Sequence, residues 1–323
     1  MALRLVAATH TDPGLQREQN EDASHAQVGE DPTRATGLFI VADGMGGYHA
    51  GEVASRLAVE TIRDDLQPLL GSPATQPTVR LNRRRKGARG ARAAKDTIPL
   101  ANQGVGEATG DASGDASGEA TGDAASPALQ SGPATQILAE SLAMEQYGER
   151  LREAVEHCGE VIVRYDKAHR DEAKGLGSTL TAALVVDGQA YIANVGDSRT
   201  YLLRDGKLQR ITRDHSLVER LVEAGQIEAD EVYDHPNRNL IYRSLGAGKA
   251  DVDVDIFTEP LRAGDLLVLC CDGLWEMVRD PEMTSILLAE PDLERASKEL
   301  IDRANHNGGE DNITVVLVRC EEG

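Results

Sequence analysis

Short apolar runs that stop at glycine, an acid or a polar turn constrain this chain more than any other feature. They fall at 3–8, 38–42, 179–186, 190–195, 200–203, 252–257, 266–271 and 313–318. Runs of this length read as strands, not helices. Asp187-Gly188 and Asp205-Gly206 stand between consecutive runs, a strong short-range signal for tight hairpins, so much of the sheet is antiparallel. Helical periodicity marks 50–69, 137–169, 216–223 and 293–305, segments suited to covering sheet faces. Together they predict an α+β fold with strands packed centrally and helices outside.

One tract interrupts this pattern. Residues 71–136 open with the basic stretch "VRLNRRRKGARGARAAK" and continue through "GEATGDASGDASGEATGDAAS", where an acid-Ala-(Ser/Thr)-Gly unit starts at Glu107, Asp111, Asp115 and Glu119. Such a tract buries too little apolar surface to offset its ordering entropy and is expected to be a disordered insert. The expected domain is therefore 1–70 plus 137–323.

Composition excludes several function classes. Aromatic residues make up 3% of the chain and its net charge is -20, which argues against stacking on nucleic-acid bases or sustained contact with their phosphates. Cys158, Cys270, Cys271 and Cys320 lack paired zinc-site spacing and read as buried reduced thiols. No apolar run approaches the roughly 18 residues of a membrane span, and "MALRLVAATH" is too soon polar for a signal peptide. A cytoplasmic protein is expected, with neither nucleic acid nor membrane as partner.

The chemistry lies in acids at strand ends. Asp43 follows "FIVA", Asp197 follows "YIANVG", Asp272 follows "LLVLCC" and Asp311 precedes "NITVVLV". One such acid is ordinarily a turn former, and Asp187 and Asp205 are read that way. Four converging carboxylates would repel strongly unless cations sat between them, and all-oxygen ligation selects hard ions such as Mg2+ or Mn2+. Gly44, Gly46, Gly47 and Gly51 do not match the G-x-G-x-x-G spacing of a dinucleotide loop. Gly44 is expected to turn the chain so that a backbone oxygen beside Asp43 faces a cation, with Gly46 and Gly47 keeping side chains out of the cleft.

These residues resemble a known family. "DPGLQREQNED", "VADGMGGYHAGEVAS", "GSTLTAALV", "ANVGDSRTYLLRDG", "ITRDHSLVERLVEAGQI", "HPNRNLIYRSLG", "GDLLVLCCDGLWEMV" and "GGEDNITVVLVR" occur in the order seen in type 2C metal-dependent serine/threonine protein phosphatases of compact bacterial form. The resemblance implies a four-layer αββα sandwich with two central, mostly antiparallel sheets and a flap over about 212–244. It implies two Mn2+ or Mg2+ ions bridged by Asp43, with the Gly44 carbonyl on the first and Asp272 and Asp311 on the second. Asp197, with Asp272, would serve a third, weaker ion. Glu21 would act through bound waters, Asp22 would orient such a water, and Arg17 would grip the phosphate. The implied reaction is direct attack on phosphorus by a hydroxide held between the ions, without a phospho-enzyme.

The implied partners are phosphorylated proteins, with a Ser/Thr kinase in opposition, and the implied state is a monomer. Met45 stands where animal members carry the histidine proposed as general acid, and a thioether cannot donate a proton. His49 and His215 read as structural residues. Ser198, Arg199 and Asn312 are expected to hold loops in place. Two rival readings are a pseudophosphatase that binds phosphoproteins without turnover, and a protein whose insert is a tethering arm. Retention of all four aspartates and Arg17 favours the enzyme.

Overall fold

The computed structural model describes residues 3–31, 33–47, 50–71, 133–169 and 175–323, with only the helical backbone over 133–145. By internal contacts the chain divides into Met1–Pro77 with Ile137–Gly323, and Thr78–Gln136. The insert expected over 71–136 thus lies outside the described residues, apart from Gly71 and the first residues of one helix.

In chain order the elements are β1 (Leu3–Asp12), β2 (Asp22–Val28), β3 (Thr36–Met45), α1 (Ala50–Leu70), α2 (Pro133–Ala168), β4 (Gly177–Ser178), β5 (Leu180–Val186), β6 (Gln189–Val195), β7 (Arg199–Arg204) and β8 (Lys207–Arg210). There follow α3 (Leu217–Glu223), a 3-10 turn (Glu231–Asp234), β9 (Leu245–Gly246), β10 (Asp255–Pro260), β11 (Leu266–Cys270), α4 (Asp272–Trp275), α5 (Asp280–Ala289), α6 (Leu293–His306) and β12 (Ile313–Glu322). One sheet runs β1-β12-β11-β7-β8; the other runs β10-β6-β5-β3-β4-β9, with β2 paired to β3. Every strand pairing described is antiparallel.

The strands explain the layering. Successive side chains of a strand point to opposite faces, so in β3 Leu38, Ile40 and Ala42 pack under α1 and α2, while Phe39 and Val41 enter the core between the sheets. In β11, Val268 and Cys270 pack with α5 and α6, while Leu267 and Leu269 face the inter-sheet core. Both faces are buried, so these strands read as continuous apolar runs and not as alternating ones. Helix–sheet, sheet–sheet and sheet–helix cores together make the expected αββα sandwich.

Local chemistry sets the connections. Asp187 and Gly188 have φ of 50° and 81°, and Asp205 and Gly206 have 51° and 76°. Left-handed values at both central positions are the type I′ hairpin signature. Asp292 caps α6 by accepting from Arg295 N at 3.0 Å. All four cysteines are free and buried, as expected.

Several expectations shift. α2 begins at Pro133 instead of 137. The strand expected at 252–257 lies at Asp255–Pro260, because Val252 and Val254 pack into the α1–α2 core before the ladder with β6 begins. β2 and α5 were not evident in the sequence: "DASHAQV" carries little apolar signal, and "DPEMTSILLA" lacks a clear helical stripe.

Candidate active site

The sheet register gathers the acids at one end of the sandwich. β2 pairs with β3 so that Asp22 lies across from Asp43. Thr179 N donates to the Asp43 carbonyl at 2.8 Å, which brings in the chain entering β5. β11 pairs with β12 and β7, and β12 pairs with β1, so the segments at 12–22, 197–199, 270–272 and 311–313 meet. Asp197 lies where the chain leaves β6 of one sheet for β7 of the other.

Asn312 ties the loop after β1 to this end. Its Nδ2 donates to the carbonyls of Pro13 at 3.0 Å and Gln19 at 2.9 Å, and its Oδ1 accepts from Glu21 N at 2.8 Å. Thr179 and Ser198 share a hydroxyl hydrogen bond of 2.7 Å. Arg199, 5% exposed, grips Asp214 through Nε and Nη2 at 2.6–3.1 Å and stacks 3.4 Å over the Trp275 ring. Trp275 in turn donates to the Asp197 carbonyl at 3.0 Å. Ser198, Arg199 and Asn312 therefore hold loops in place.

The glycine-rich loop works differently from the expectation. Gly44 lies within β3, and it is required by close approach: a Cβ there would come within 2.1 Å of the Gly51 carbonyl. A Cβ on Gly51 would meet the Glu21 carboxylate at 2.7 Å. The two glycines let the start of α1, the end of β3 and Glu21 converge. Gly47 faces open space and has no such need.

Electrostatics mark the cluster as unusual. Burial raises the Asp43 carboxyl well above the usual carboxylate range, and Asp272, Asp22, Asp197 and Asp311 raise it further. Asp272 is raised by burial and then by Asp197, Glu276, Asp311 and Asp22. Burial and Asp214 push Asp197 to about 7. Asp22 rises to about 6 because its burial outweighs the hydrogen bonds from Thr314 and Cys271. Asp22 Oδ2 accepts from Thr314 Oγ1 at 2.6 Å, whereas its Oδ1 is buried without a hydrogen-bond partner.

The arginines touch the outer members of the group. Arg17 Nη2 donates to Asp311 Oδ2 at 2.6 Å while its side chain stays half exposed. Arg238, from the flap, pairs with Glu276 at 3.1 Å and Glu310 at 3.0 Å. Asp43 and Asp272 face chiefly other carboxylates. Among the described residues no three acidic, imidazole or thiol groups form a ready-made metal shell. A hollow of about 920 Å³ between α5 and α6 contains none of these acids.

All of the predicted site residues, Arg17, Glu21, Asp22, Asp43, Gly44, Asp197, Asp272 and Asp311, lie at this end. Asp272 opens α4 instead of ending β11. The residue missed is Glu276, whose charge bears on Asp272 and Asp197. Its signal was present: it follows Asp272 by four residues, one helical turn on the same face. Met45 pairs with Gly177 at the rim; His215 is buried; His49 lies outside the described residues.

Comparison with known proteins agrees with this geometry. The profile of the family described as Protein phosphatase 2C matches residues 15–317. A serine/threonine phosphatase, stp, of Listeria welshimeri is 33% identical over 97% of this chain and 94% of its own. The crystal structure of the Mycobacterium tuberculosis serine/threonine phosphatase PstP/Ppp is 30% identical and aligns over 98% of this chain and 99% of that one, with a TM-score of 0.66. The PstP catalytic domain in complex with two manganese ions is 28% identical, covers 99% of this chain and 100% of that one, and gives a TM-score of 0.67. Matches of this extent in both sequence and fold mean that the chain belongs to the protein phosphatase 2C family, the serine/threonine phosphatases of bacterial type.

Proposed function

We propose that this protein hydrolyses phosphoserine and phosphothreonine in proteins, using Mn2+ or Mg2+ at the aspartate cluster and opposing a Ser/Thr kinase. The observation that carries the reading is the half-buried pair Asp43 and Asp272, each raised by desolvation and by neighbouring carboxylates. Buried acids left so are costly unless cations join them. The donor set fits hard divalent ions, being all oxygen, and the unpartnered Asp22 Oδ1 is available to a water beside them.

Asp43, the Gly44 carbonyl, Asp272 and Asp311 would hold two ions. Asp197 and Asp272, reinforced by Glu276, would hold a third and weaker one. Glu21 would engage the ions through water. When bound, the ions supply Lewis acidity and an acidified water as nucleophile. Arg17 presents the outer part of its planar fork to solvent beside Asp311, placed to receive the equatorial phosphate oxygens. Asp22 would orient a water through Oδ1. Met45 cannot donate a proton to the leaving oxygen.

The catalytic domain would comprise 1–70 with 137–323, working as a cytoplasmic monomer. No helix among the described residues is long and apolar enough to cross a membrane. The test is hydrolysis of p-nitrophenyl phosphate by the purified chain. Turnover that requires Mn2+ or Mg2+ and stops with EDTA is expected. Silence in folded, metal-supplied protein would favour a phosphoprotein-binding pseudophosphatase. Arg17→Ala is expected to raise KM more than it lowers kcat, and no change in either would remove its assigned role.

A further inference from the structure

The turn that carries Asp197 is fastened from outside. Gly196 has φ of 106°, which L side chains rarely adopt, and a Cβ there would meet Thr179 at 2.6 Å. Its two polar backbone groups both go to His215. Gly196 N donates to His215 Nδ1 at 3.0 Å, and His215 N donates to the Gly196 carbonyl at 2.8 Å.

This arrangement fixes the tautomer. Nδ1 accepts, so Nε2 carries the proton and donates to Asp255 Oδ2 at 3.2 Å. Arg243 Nη1 lies 3.0 Å from Nε2, where two donors face each other, and bonds instead to Asp255 Oδ1 at 2.9 Å. Burial, with Arg243 adding to it, holds the imidazole below its ordinary range despite Asp255. The His215 carbonyl accepts from Tyr242 N at 2.9 Å, and Ser216 bridges to Ile241. One ring nitrogen therefore holds the Asp197 turn, while the other holds β10 where the far end of the flap returns.

We propose that His215 is a positioning residue for Asp197: its Nδ1, through the Gly196 N–H, fixes the turn that aims this carboxylate and so sets the affinity of the weakest divalent ion. The inference rests on Asp197 being a metal ligand, as read above. The reaction read above assigns this imidazole no role.

The two ring nitrogens can be tested separately in the full chain. In His215→Asn the amide oxygen falls where Nδ1 was, which keeps the acceptor for Gly196 and drops Asp255. In His215→Gln the amide reaches the Nε2 position, which keeps Asp255 and leaves the buried Gly196 N–H without its acceptor. Equilibrium Mn2+ binding, read from the signal of free Mn2+ by electron paramagnetic resonance, separates tight from weak ions without relying on turnover. His215→Gln is expected to weaken the weak phase about tenfold and leave the tight phase unchanged, as loss of a buried hydrogen bond implies. His215→Asn should stay within about threefold of wild type.

Wild-type weak binding in folded His215→Gln, or equal weakening in both variants, overturns the inference while Asp197→Asn still abolishes the weak phase. An unchanged weak phase in Asp197→Asn overturns the ligand reading and this inference with it. If His215→Gln does not fold, His215→Ala decides, since it too removes the Nδ1 acceptor of the Gly196 N–H and should weaken the same phase while leaving the tight one alone. No change there also refutes the role.

Discussion

The two ends of the sandwich use the same residue in opposite ways. At the hairpin end, Asp187 and Asp205 shape type I′ turns, stand in water and pair with Arg34 and Arg262. At the other end, Asp43 and Asp272 are half-buried among carboxylates. Burial alone is not the distinction. Asp214 and Asp265, each 1% exposed, are gripped by the guanidinium forks of Arg199 and Arg204. An arginine makes a buried acid a structural part; a row of other acids makes it a site waiting for a cation.

The sharpest break of this comparison is Asp43→Asn. It should lower turnover by at least about a thousandfold, since it removes several kcal/mol of charge organisation around the ions. In EDTA the same variant should melt no lower than wild type, because one repelling charge is gone. A metal-free protein clearly destabilised by the change would mean that Asp43 is a structural acid like Asp214.

Asp214→Asn should do the reverse. It leaves the Arg199 guanidinium buried and without its carboxylate, at a cost of about 3–5 kcal/mol measured by urea denaturation. A loss under about 1 kcal/mol would show that Trp275 and Tyr201 suffice for Arg199.

Acidity probes the site end at a smaller scale. Asp22 near 6 and Asp197 near 7 both lie above the ordinary 3.8. Groups raised on folding stabilise the metal-free protein below about pH 4, and that contribution is lost as pH rises through 6 and 7. Divalent ions need the same groups ionised. The gain in melting temperature from Mn2+ should therefore be near zero at pH 5 and several degrees at pH 8. A gain independent of pH would place the ions elsewhere.

The smallest effect belongs to the hairpin end. Asp187→Asn keeps a residue that tolerates the left-handed turn and gives up one partly exposed ion pair, for a loss of about 1 kcal/mol or less.

What the sequence revealed follows from how local each feature is. The hairpins were legible because Asp-Gly specifies its own backbone, and the core strands because burial on both faces leaves unbroken apolar runs. The site acids were legible by their position at the ends of those runs. β2 was not, since Ala23, Ser24 and His25 gain their meaning only from pairing with β3. Glu276 was legible only through its spacing of one helical turn from Asp272. The close approach that requires Gly44 was not legible, because the Gly51 carbonyl arrives only when α1 docks. His215 acts through Gly196, which is nineteen residues away in sequence and adjacent in space.

The most direct measurement is phosphate release from a phosphothreonine peptide by wild type and Asp43→Asn, each with Mn2+ and with EDTA. Release by wild type with Mn2+, and by no other combination, is the predicted result. Release that survives EDTA, or that Asp43→Asn retains at the wild-type rate, would contradict the claim that the mutually repelling aspartates hold the ions that drive catalysis.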